Sequence, residues 1–181
     1  MLILMAGLPG TGKSTLAYQL TQELKKRRLT AVVLNKDTVR HALFPPELIE
    51  YSTKQDDFVI DLLLRTAEYL WNTHPQRTII LDGRTFSRES QRRQVIDFAE
   101  AHHQRWLIVE CVCDDVIARQ RLSQPDPNHP AGNRTPELYD EVKRHWEPIP
   151  EPKILIRTDE AIDFNQIVTA IAASHVSQSS I

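Results

Sequence analysis

The chain has 181 residues, 41% of them hydrophobic, which suffices for one well-filled core and a little more. Its 22 lysines and arginines against 24 aspartates and glutamates give a formal net charge of −2, so no global charge would hold it on nucleic acid or on an anionic membrane. No stretch approaches the roughly 20 apolar residues of a membrane span, and the opening MLILMA predicts a strand rather than a signal peptide. We therefore expect a single cytoplasmic domain over residues 1–181.

Short apolar runs alternate with longer helical patterns along the chain. The runs predict β-strands at 2–6, 31–35, 78–82, 106–113 and 153–158. Each run is apolar almost throughout, which is typical of strands covered on both faces of a parallel sheet. The helical patterns extend from the glycine-rich loop to about residue 28, then over 54–73, 88–103, 114–122, 136–146 and 163–173. This alternation indicates an α/β fold with a parallel sheet and right-handed crossovers.

Two local patterns add detail to these elements. The helix over 54–73 is expected to begin with a capping box of Ser52 and Gln55. Its apolar face would consist of Phe58, Val59, Leu62, Leu63, Tyr69 and Leu70. Cys111 and Cys113 lie two apart on one strand, where free buried thiols are favoured over a disulfide and a reducing compartment fits.

A proline-rich region interrupts the alternation of strands and helices, since seven of the eleven prolines lie between Pro125 and Pro152. Residues 124–134 cannot form regular structure and predict an exposed loop. A helix would follow with Thr135 as its cap and Pro136 at its first position. A long loop of this kind in a compact domain usually serves as a lid or a binding loop, so we expect a lid over about 120–137. The polar end, about 174–181, predicts a loose tail.

Three of the five glycines fall within six residues, immediately after the first strand, in the pattern Gly-x-x-x-x-Gly-Lys-Ser. Such a loop turns successive backbone N–H groups toward phosphate, and the positive end of the following helix faces the same anion. In this arrangement Lys13 reaches the β- and γ-phosphates and Ser14 offers its hydroxyl to Mg²⁺. The predicted nucleotide-binding residues are Gly7, Leu8, Pro9, Gly10, Thr11, Gly12, Lys13, Ser14 and Thr15.

A second metal ligand is expected at the end of the third strand, where TIILD closes on Asp82. A carboxylate at this position would hold Mg²⁺ directly or through water, although Asp82 could also merely cap the following turn. No Asn/Thr-Lys-x-Asp motif for guanine follows a late strand. The sequence therefore favours ATP over GTP as the nucleotide.

The acceptor side is predicted from NKDTVR, which follows the second strand at the same carboxyl edge of the sheet. Open α/β sheets bind ligands at that edge. If a helix starts at Thr38, Asp37 and Arg40 can face one cavity. The carboxylate would orient a hydroxyl and take its proton, and the arginine would hold an anionic group. Alternatively, Asp37 is an N-cap and Arg40 a surface charge.

The chain contains, in this order, the segments GLPGTGKST, NKDTVR, ILDGRTFSRESQRRQV and ARQRL, the last followed by a proline-rich lid. The small P-loop kinases of the polynucleotide-kinase-like group have their motifs in the same order. The chain resembles this group, which includes the kinase domain of phage polynucleotide kinase, chloramphenicol phosphotransferase, gluconate-kinase-like enzymes and zeta toxins. The resemblance implies a P-loop fold with a five-stranded sheet in the order 2-3-1-4-5. It also implies ATP as donor, Asp37 as general base and Arg40 as acceptor contact. The resemblance further implies that arginines of the lid neutralise the charge of the transferred phosphoryl group.

The candidate lid arginines are Arg119, Arg121 and Arg134. Because Arg119 and Arg121 point to different helix faces, they are not expected to share one role, and we favour Arg119 and Arg134 for catalysis. The chain departs from the group at DGRTF, which would place Arg84, two residues after Asp82, at the mouth of the cavity. Arg84 with Arg88 and Arg92 could form a pocket for an anionic acceptor or a nucleic-acid end. The alternative is a solvated helix face.

These patterns together predict an Mg·ATP-dependent phosphotransferase that acts on a hydroxyl group. A small-molecule acceptor is preferred because the chain has neither a nucleic-acid module nor net positive charge. Two alternatives stay open: a 5′-hydroxyl polynucleotide kinase, and a nucleotide-switched binding module in which ATP orders the lid for a protein partner and little transfer occurs.

Overall fold

The computed structural model describes residues 1–124, 132–150 and 152–176. Its five strands form one parallel sheet in the order β2-β3-β1-β4-β5. They are β1 (Leu2–Ala6), β2 (Ala31–Asn35), β3 (Thr78–Asp82), β4 (Trp106–Val112) and β5 (Ile154–Arg157). Both the predicted α/β class and the strand order implied by the resemblance are confirmed.

Seven α-helices connect and flank these strands within the described residues. They are α1 (Lys13–Lys26), α2 (Lys36–Leu43), α3 (Thr53–Thr73), α4 (Glu89–Ala101), α5 (Asp115–Ser123), α6 (Pro136–Arg144) and α7 (Asn165–Val176). Six of them correspond to predicted helices. The other, α2, begins at Lys36 rather than Thr38, because the Asn35 side chain caps it by accepting a 2.9 Å hydrogen bond from the Thr38 amide. A 3₁₀ turn, Pro46–Leu48, follows it and was not predicted.

The sheet separates two hydrophobic cores, as the alternation of side chains along β1 illustrates. Leu2 and Leu4 lie in a core shared with α3 and α4. Ile3 and Met5 lie on the opposite side, in a core shared with α1 and α7. This double coverage explains why the strands are apolar almost throughout.

The buried face of α3 differs from the prediction. Phe58 and Tyr69 are 52% and 66% exposed, so the predicted stripe is rotated away from the sheet. The buried residues are Gln55, Val59, Ile60, Leu63, Leu64, Ala67 and Trp71. Phe58 instead packs edge-on against Phe44 of the preceding loop, with ring centroids 6.1 Å apart. Local periodicity alone could not distinguish the two overlapping stripes.

Only one of the two hydrogen bonds of the predicted capping box forms at the start of α3. The Ser52 hydroxyl accepts from the Gln55 amide at 3.1 Å, as predicted. The Gln55 side-chain oxygen, however, accepts from the Glu50 amide at 3.1 Å instead of reaching back to Ser52. The Gln55 side chain therefore braces the loop before α3.

The lid and the tail are only partly covered. The predicted cap of α6 is confirmed, since the Thr135 hydroxyl accepts from the Leu138 amide at 3.2 Å. Residues 125–131 of the lid and 177–181 of the tail lie outside the described residues. Within the described part, α7 continues to Val176, so the helix extends three residues into the segment predicted as a loose tail.

Two further expectations concern the cysteines and the membrane. Both Cys111 and Cys113 are free thiols, and burial raises the pKa of Cys111 to about 12, which makes it unreactive. Over residues 1–124, 132–150 and 152–176, no helix has the length and apolar character required to cross a bilayer.

Candidate functional site

The glycine-rich loop joins the end of β1 to the start of α1 and depends on close backbone approach. Gly10 has φ +77°, and a Cβ there would lie 2.6 Å from the backbone oxygen of Ala118 in α5. Gly7 is equally constrained, because a Cβ would lie 2.4 Å from the backbone oxygen of Cys111. Side chains at these positions would push the loop away from the sheet. The glycine pattern therefore sets the shape of the loop as well as its access to anions.

Lys13 lies over this loop. Its Nζ donates to the carbonyl oxygens of Gly7 at 2.9 Å and Leu8 at 2.8 Å. Burial lowers the pKa of Lys13, whereas the charges of Asp82 and Asp37 raise it. The ammonium group thus lies within the electrostatic reach of both carboxylates that the sequence selected.

Asp82 lies at the end of β3 and is almost fully buried. Its Oδ2 accepts a 2.7 Å hydrogen bond from Asn35, which ends the neighbouring strand β2. Its Oδ1 is buried and has no hydrogen-bond partner among the described residues. A buried carboxylate oxygen without a partner is costly unless something binds it, so it fits a cation. In the described part of the chain no three His, Cys, Asp or Glu side chains gather as metal ligands.

Two cavities meet at the glycine-rich loop. The larger, about 690 Å³, extends from the loop toward the residues that follow β5. It is lined by Gly10, Gly12, Thr15, Leu16, Gln19, Arg121, Gln124, Arg134, Thr158, Glu160, Ile162 and Phe164. The smaller, about 340 Å³, lies between the loop, α2, α3 and α6. Gly10, Gly12, Thr15 and Arg134 line both cavities, so the loop and one lid arginine form their common wall.

The smaller cavity brings together residues from five segments. Lys13 and Ser14 of the loop line it, as does Asp37 of α2. Gly83 and Thr85, which follow β3, and Leu138 and Val142 of α6 complete much of the wall. The predicted loop and the predicted Asp37 therefore open into one space. Asp82 itself does not line this cavity, although the next residue, Gly83, does.

A four-residue charge cluster forms the floor on the α2 side: Lys36, Asp37, Arg40 and Asp56. Arg40 Nη1 donates to Asp37 Oδ1 at 2.8 Å, and its Nη2 pairs with Asp56 Oδ1. Lys36 Nζ lies 2.8 Å from Asp56 Oδ2 and 3.4 Å from Asp37 Oδ1. Burial lowers the pKa of Lys36 to about 8, against the raising effect of Asp37. The cluster contains two cations and two anions, each in contact with a partner of opposite charge.

Sequence reasoning missed Lys36 and Asp56. Lys36 directly precedes Asp37, the predicted base, and this adjacency was the sequence feature that could have identified Lys36 as a site residue. Asp56 lies in the first turn of α3, where an acidic residue is ordinarily explained by the helix dipole. Tyr51 was also missed; its ring lies under the Arg40 guanidinium, with Cζ 5.1 Å from the ring centroid.

The surroundings of Arg40 do not match the expectation that it contacts the acceptor. Its side chain is 1% exposed and its guanidinium is engaged by two carboxylates and the Tyr51 ring. It reaches the cavity wall but cannot bind an anionic acceptor without giving up one of these partners. In this geometry the Arg40 guanidinium is held against Asp37 and Asp56.

The arginines that follow β3 do not form the expected anion pocket. Arg84 is 4% exposed and pairs with Asp57 at 2.5 Å, so it lies behind the cavity rather than at its mouth. Arg88 is exposed as the residue before α4. Arg92 is buried and donates to the carbonyl oxygens of Phe86, Glu147 and Pro148. None of these three arginines lines either of the two described cavities.

The three candidate lid arginines occupy different positions relative to the two cavities. Arg134 lines both cavities, as its expected phosphate role requires. Arg119 instead pairs with Asp140 and lies over the Tyr139 ring, which ties α5 to α6 outside both cavities. Arg121, which the sequence argument disfavoured, donates to Gly10 O at 3.3 Å and Thr158 O at 3.0 Å and lines the larger cavity. The two arginines of α5 do occupy different faces, as predicted.

Known proteins resemble this chain in both sequence and fold. The L-seryl-tRNA(Sec) kinase of Methanococcus maripaludis is 24% identical over 178 residues, covering 94% of this chain and 64% of the relative. The chain thus spans just under two thirds of the length of that curated relative. Chaetomium thermophilum Kti12, solved in complex with ADP-AlF3, has a TM-score of 0.70 at 19% identity, covering 96% of this chain and 98% of its own. The Mycobacterium tuberculosis APS kinase CysC, in complex with AMPPNP and APS, has a TM-score of 0.69 at 18% identity, covering 96% and 97%.

The structural similarities show a shared fold. The AAA_33 family, described as an AAA domain, matches residues 2–147. That range includes the loop, the charge cluster, Asp82 and the lid. The chain therefore shares the fold of Kti12 and APS kinase and belongs to the AAA_33 family.

Proposed function

We propose that the protein is an Mg·ATP-dependent phosphotransferase that moves the γ-phosphoryl group to a hydroxyl of a small-molecule acceptor. One observation carries the proposal: Lys13 and Ser14 of the phosphate loop and the Asp37 carboxylate line the same 340 Å³ cavity. A phosphate held by the loop would therefore meet an acceptor held against Asp37. Phosphoryl transfer depends chiefly on such positioning and on charge neutralisation.

The donor site is supported by the loop and the larger cavity. Backbone N–H groups of the loop and the N-terminus of α1 suit the β- and γ-phosphates, and Lys13 adds a cation. The larger cavity then offers space for the nucleoside. Two structural neighbours were solved with nucleotide analogues, ADP-AlF3 and AMPPNP. ATP is preferred because the chain lacks the guanine motif noted above.

Ser14 and Asp82 would hold the Mg²⁺ ion, since the buried Oδ1 of Asp82 has no protein partner among the described residues. The ion would supply charge neutralisation between the β- and γ-phosphates. The Asn35 amide, which holds Asp82 Oδ2, would keep Oδ1 directed toward the ion.

Asp37 is the proposed general base. Its described contacts with Lys36 and Arg40 both use Oδ1, which leaves Oδ2 for the acceptor hydroxyl. As the acceptor oxygen bonds to the γ-phosphorus, the bond to the β–γ bridging oxygen breaks and the hydroxyl proton passes to Asp37. The products are the phosphorylated acceptor and ADP. Arg134 would balance the charge of the transferred group. Free thiols suit the reducing cytoplasm as the place of action.

The test measures Mg·ATP consumption against pooled acceptors: sugars, nucleosides, antibiotics and 5′-hydroxyl oligonucleotides. Asp37→Asn should keep ATP affinity and lose acceptor-dependent turnover by at least roughly 10²-fold, the usual contribution of a general base. Asp61→Asn is the matched control, because Asp61 is an exposed carboxylate on α3 that accepts only from Gln94 among the described contacts. Tight ATP binding without turnover for any acceptor would contradict the proposal and favour a nucleotide-switched binding module.

A further inference from the structure

We propose that the acceptor carries no net charge near its reacting hydroxyl and presents an apolar face to α6. The proposal rests on the phosphotransferase function above and names the acceptor class for that site. It follows from the charges that line the smaller cavity and from what already neutralises each of them.

The charges on the α2 and α3 side cancel. Lys36 and Arg40 contribute two positive charges, and Asp37 and Asp56 contribute two negative charges. The four side chains are between 1% and 21% exposed. Because desolvated charges of this kind are costly unless paired, drawing one member of a pair away leaves the charge of its partner uncompensated.

An ionic acceptor would disturb these pairs. An anionic group would have to draw Lys36 or Arg40 away from Asp56, leaving a buried carboxylate without its partner. A cationic group would compete in the same way for Asp37 or Asp56. Breaking one member of a buried pair is strongly unfavourable, whereas a neutral hydroxyl needs only the Oδ2 lone pairs of Asp37.

The other cations of the cavity lie on the phosphate side. Lys13 is hydrogen bonded to the loop carbonyls of Gly7 and Leu8. Arg134 also lines the larger cavity, and its charge lowers the pKa of Lys13, which indicates that the two cations lie near one another at the loop. Both are therefore suited to the donor phosphates, and they leave the acceptor side without a spare positive charge.

Neutral side chains form the rest of the acceptor wall. Tyr51, Thr53 and Thr85 offer hydroxyl groups, and Leu138 and Val142 of α6 form an apolar surface. Arg84 does not line this cavity; its Nη2 pairs with Asp57, and its Nε and Nη1 have no hydrogen-bond partner among the described residues. A neutral polyhydroxy compound or nucleoside-like molecule with one apolar face matches this lining, and phosphate-bearing or amine-bearing acceptors do not.

The first test changes the balance of charge without needing the natural acceptor. Asp56→Asn leaves Lys36 and Arg40 with a single carboxylate, so the cluster gains one positive charge. With Mg·AMPPNP filling the donor site, inorganic phosphate should bind Asp56→Asn at least roughly tenfold more tightly than the wild type. The matched control is Asp61→Asn, since Asp61 is an exposed carboxylate of the same helix that accepts from Gln94 and does not line the cavity; this variant should bind phosphate as weakly as the wild type.

Equal phosphate affinity of the wild type and Asp56→Asn would overturn the inference, because the charge balance of the cluster would then not determine whether the cavity accepts anions. Circular dichroism of each variant verifies that the fold is retained. The second test below uses the unmodified protein and so does not depend on how Asp56→Asn folds.

The second test measures Mg·ATP consumption by the wild type with three pools of alcohols that share carbon skeletons and differ in charge. The pools are neutral compounds, their carboxylate or phosphate counterparts together with 5′-hydroxyl oligonucleotides, and their amine counterparts. Turnover confined to the neutral pool, and lost in Asp37→Asn, supports the inference. Comparable kcat/KM for a charged pool would overturn the inference and leave the phosphotransferase function intact. Absence of stimulation by every pool would instead contradict the function on which the inference rests.

Discussion

At the scale of single residues, Lys36 shows how strongly the site depends on paired burial. Its ammonium contacts Asp56 and Asp37, yet burial still lowers its pKa from 10.5 to about 8. Desolvation therefore outweighs the attraction of two neighbouring carboxylates. The charge balance of the cluster consequently holds only below about pH 8, where Lys36 is protonated.

This shift predicts how stability depends on pH. Between about pH 8 and 10.5 the unfolded chain keeps the Lys36 proton that the folded chain has lost, so the free energy of unfolding should rise with pH in that window. Lys36→Met should remove that part of the rise, as measured by urea unfolding at closely spaced pH values. Lys54→Met, an exposed substitution on α3, is the control and should retain the wild-type slope. Equal slopes for Lys36→Met and the wild type would contradict the prediction.

At the scale of elements, the glycine-rich loop is held between α5 and the end of β5. Arg121 of α5 donates to Gly10 O and to Thr158 Oγ1, and the Thr158 hydroxyl donates to Thr11 O at 2.8 Å. The loop therefore has little freedom to shift when a side chain is added. Gly10 and Gly12 differ in what lies opposite them, although their φ angles are +77° and +79°.

This difference predicts unequal effects of two alanine substitutions. Gly10→Ala places a Cβ 2.6 Å from the backbone oxygen of Ala118, whereas Gly12→Ala places one 3.2 Å from the Thr158 hydroxyl. Both variants carry the strain of positive φ, about 1–2 kcal/mol, and only Gly10→Ala adds a backbone clash. We expect Gly10→Ala to lower Tm and ATP affinity more than Gly12→Ala. Calorimetric melting and nucleotide titration check this, and an equal loss in both variants would show that the close approach to α5 is unimportant.

At the scale of the whole molecule, Arg92 connects parts of the chain that are far apart in sequence. It is 3% exposed, and its guanidinium donates to carbonyls before α4 and after α6, including Glu147 O at 3.2 Å and Pro148 O at 3.3 Å. These bonds hold the segment after α6 against α4, next to the core residue Ile149. Because α6 forms one wall of the smaller cavity, Arg92 supports the site from a distance.

Removal of this connection should therefore destabilise the fold. Arg92→Ala leaves three carbonyl groups without their charged donor, and we expect a loss of about 2–4 kcal/mol in the free energy of unfolding. Arg93→Ala is the matched neighbour, since its exposed pair with Asp97 should contribute only about 0.3–0.5 kcal/mol. Urea denaturation of both variants measures the difference. Similar values would mean that Arg92 contributes no more than a surface arginine.

Most of the architecture could be predicted because its signals are local. A few consecutive residues are enough to predict each of these features: the strands, the phosphate loop, the Thr135 cap and the position of Asp82. Residue spacing or the length of a hydrophobic run identifies them. The error on α3 arose because two local patterns overlapped. On α3, the stripe containing Phe58 and Tyr69 competes with the one that is actually buried, and only packing against the sheet distinguishes them.

The sequence by itself determined the fold class, the loop that can hold phosphate, and Asp37 at the same sheet edge. The tertiary structure alone decided what each arginine does: Arg40 is engaged by Asp56, Arg84 by Asp57, and Arg92 by backbone carbonyls. The physical reason is that a charged side chain takes its role from the partner it meets on burial. Those partners come from helices whose approach is set by the packing of the whole sheet, and no spacing within one segment encodes it.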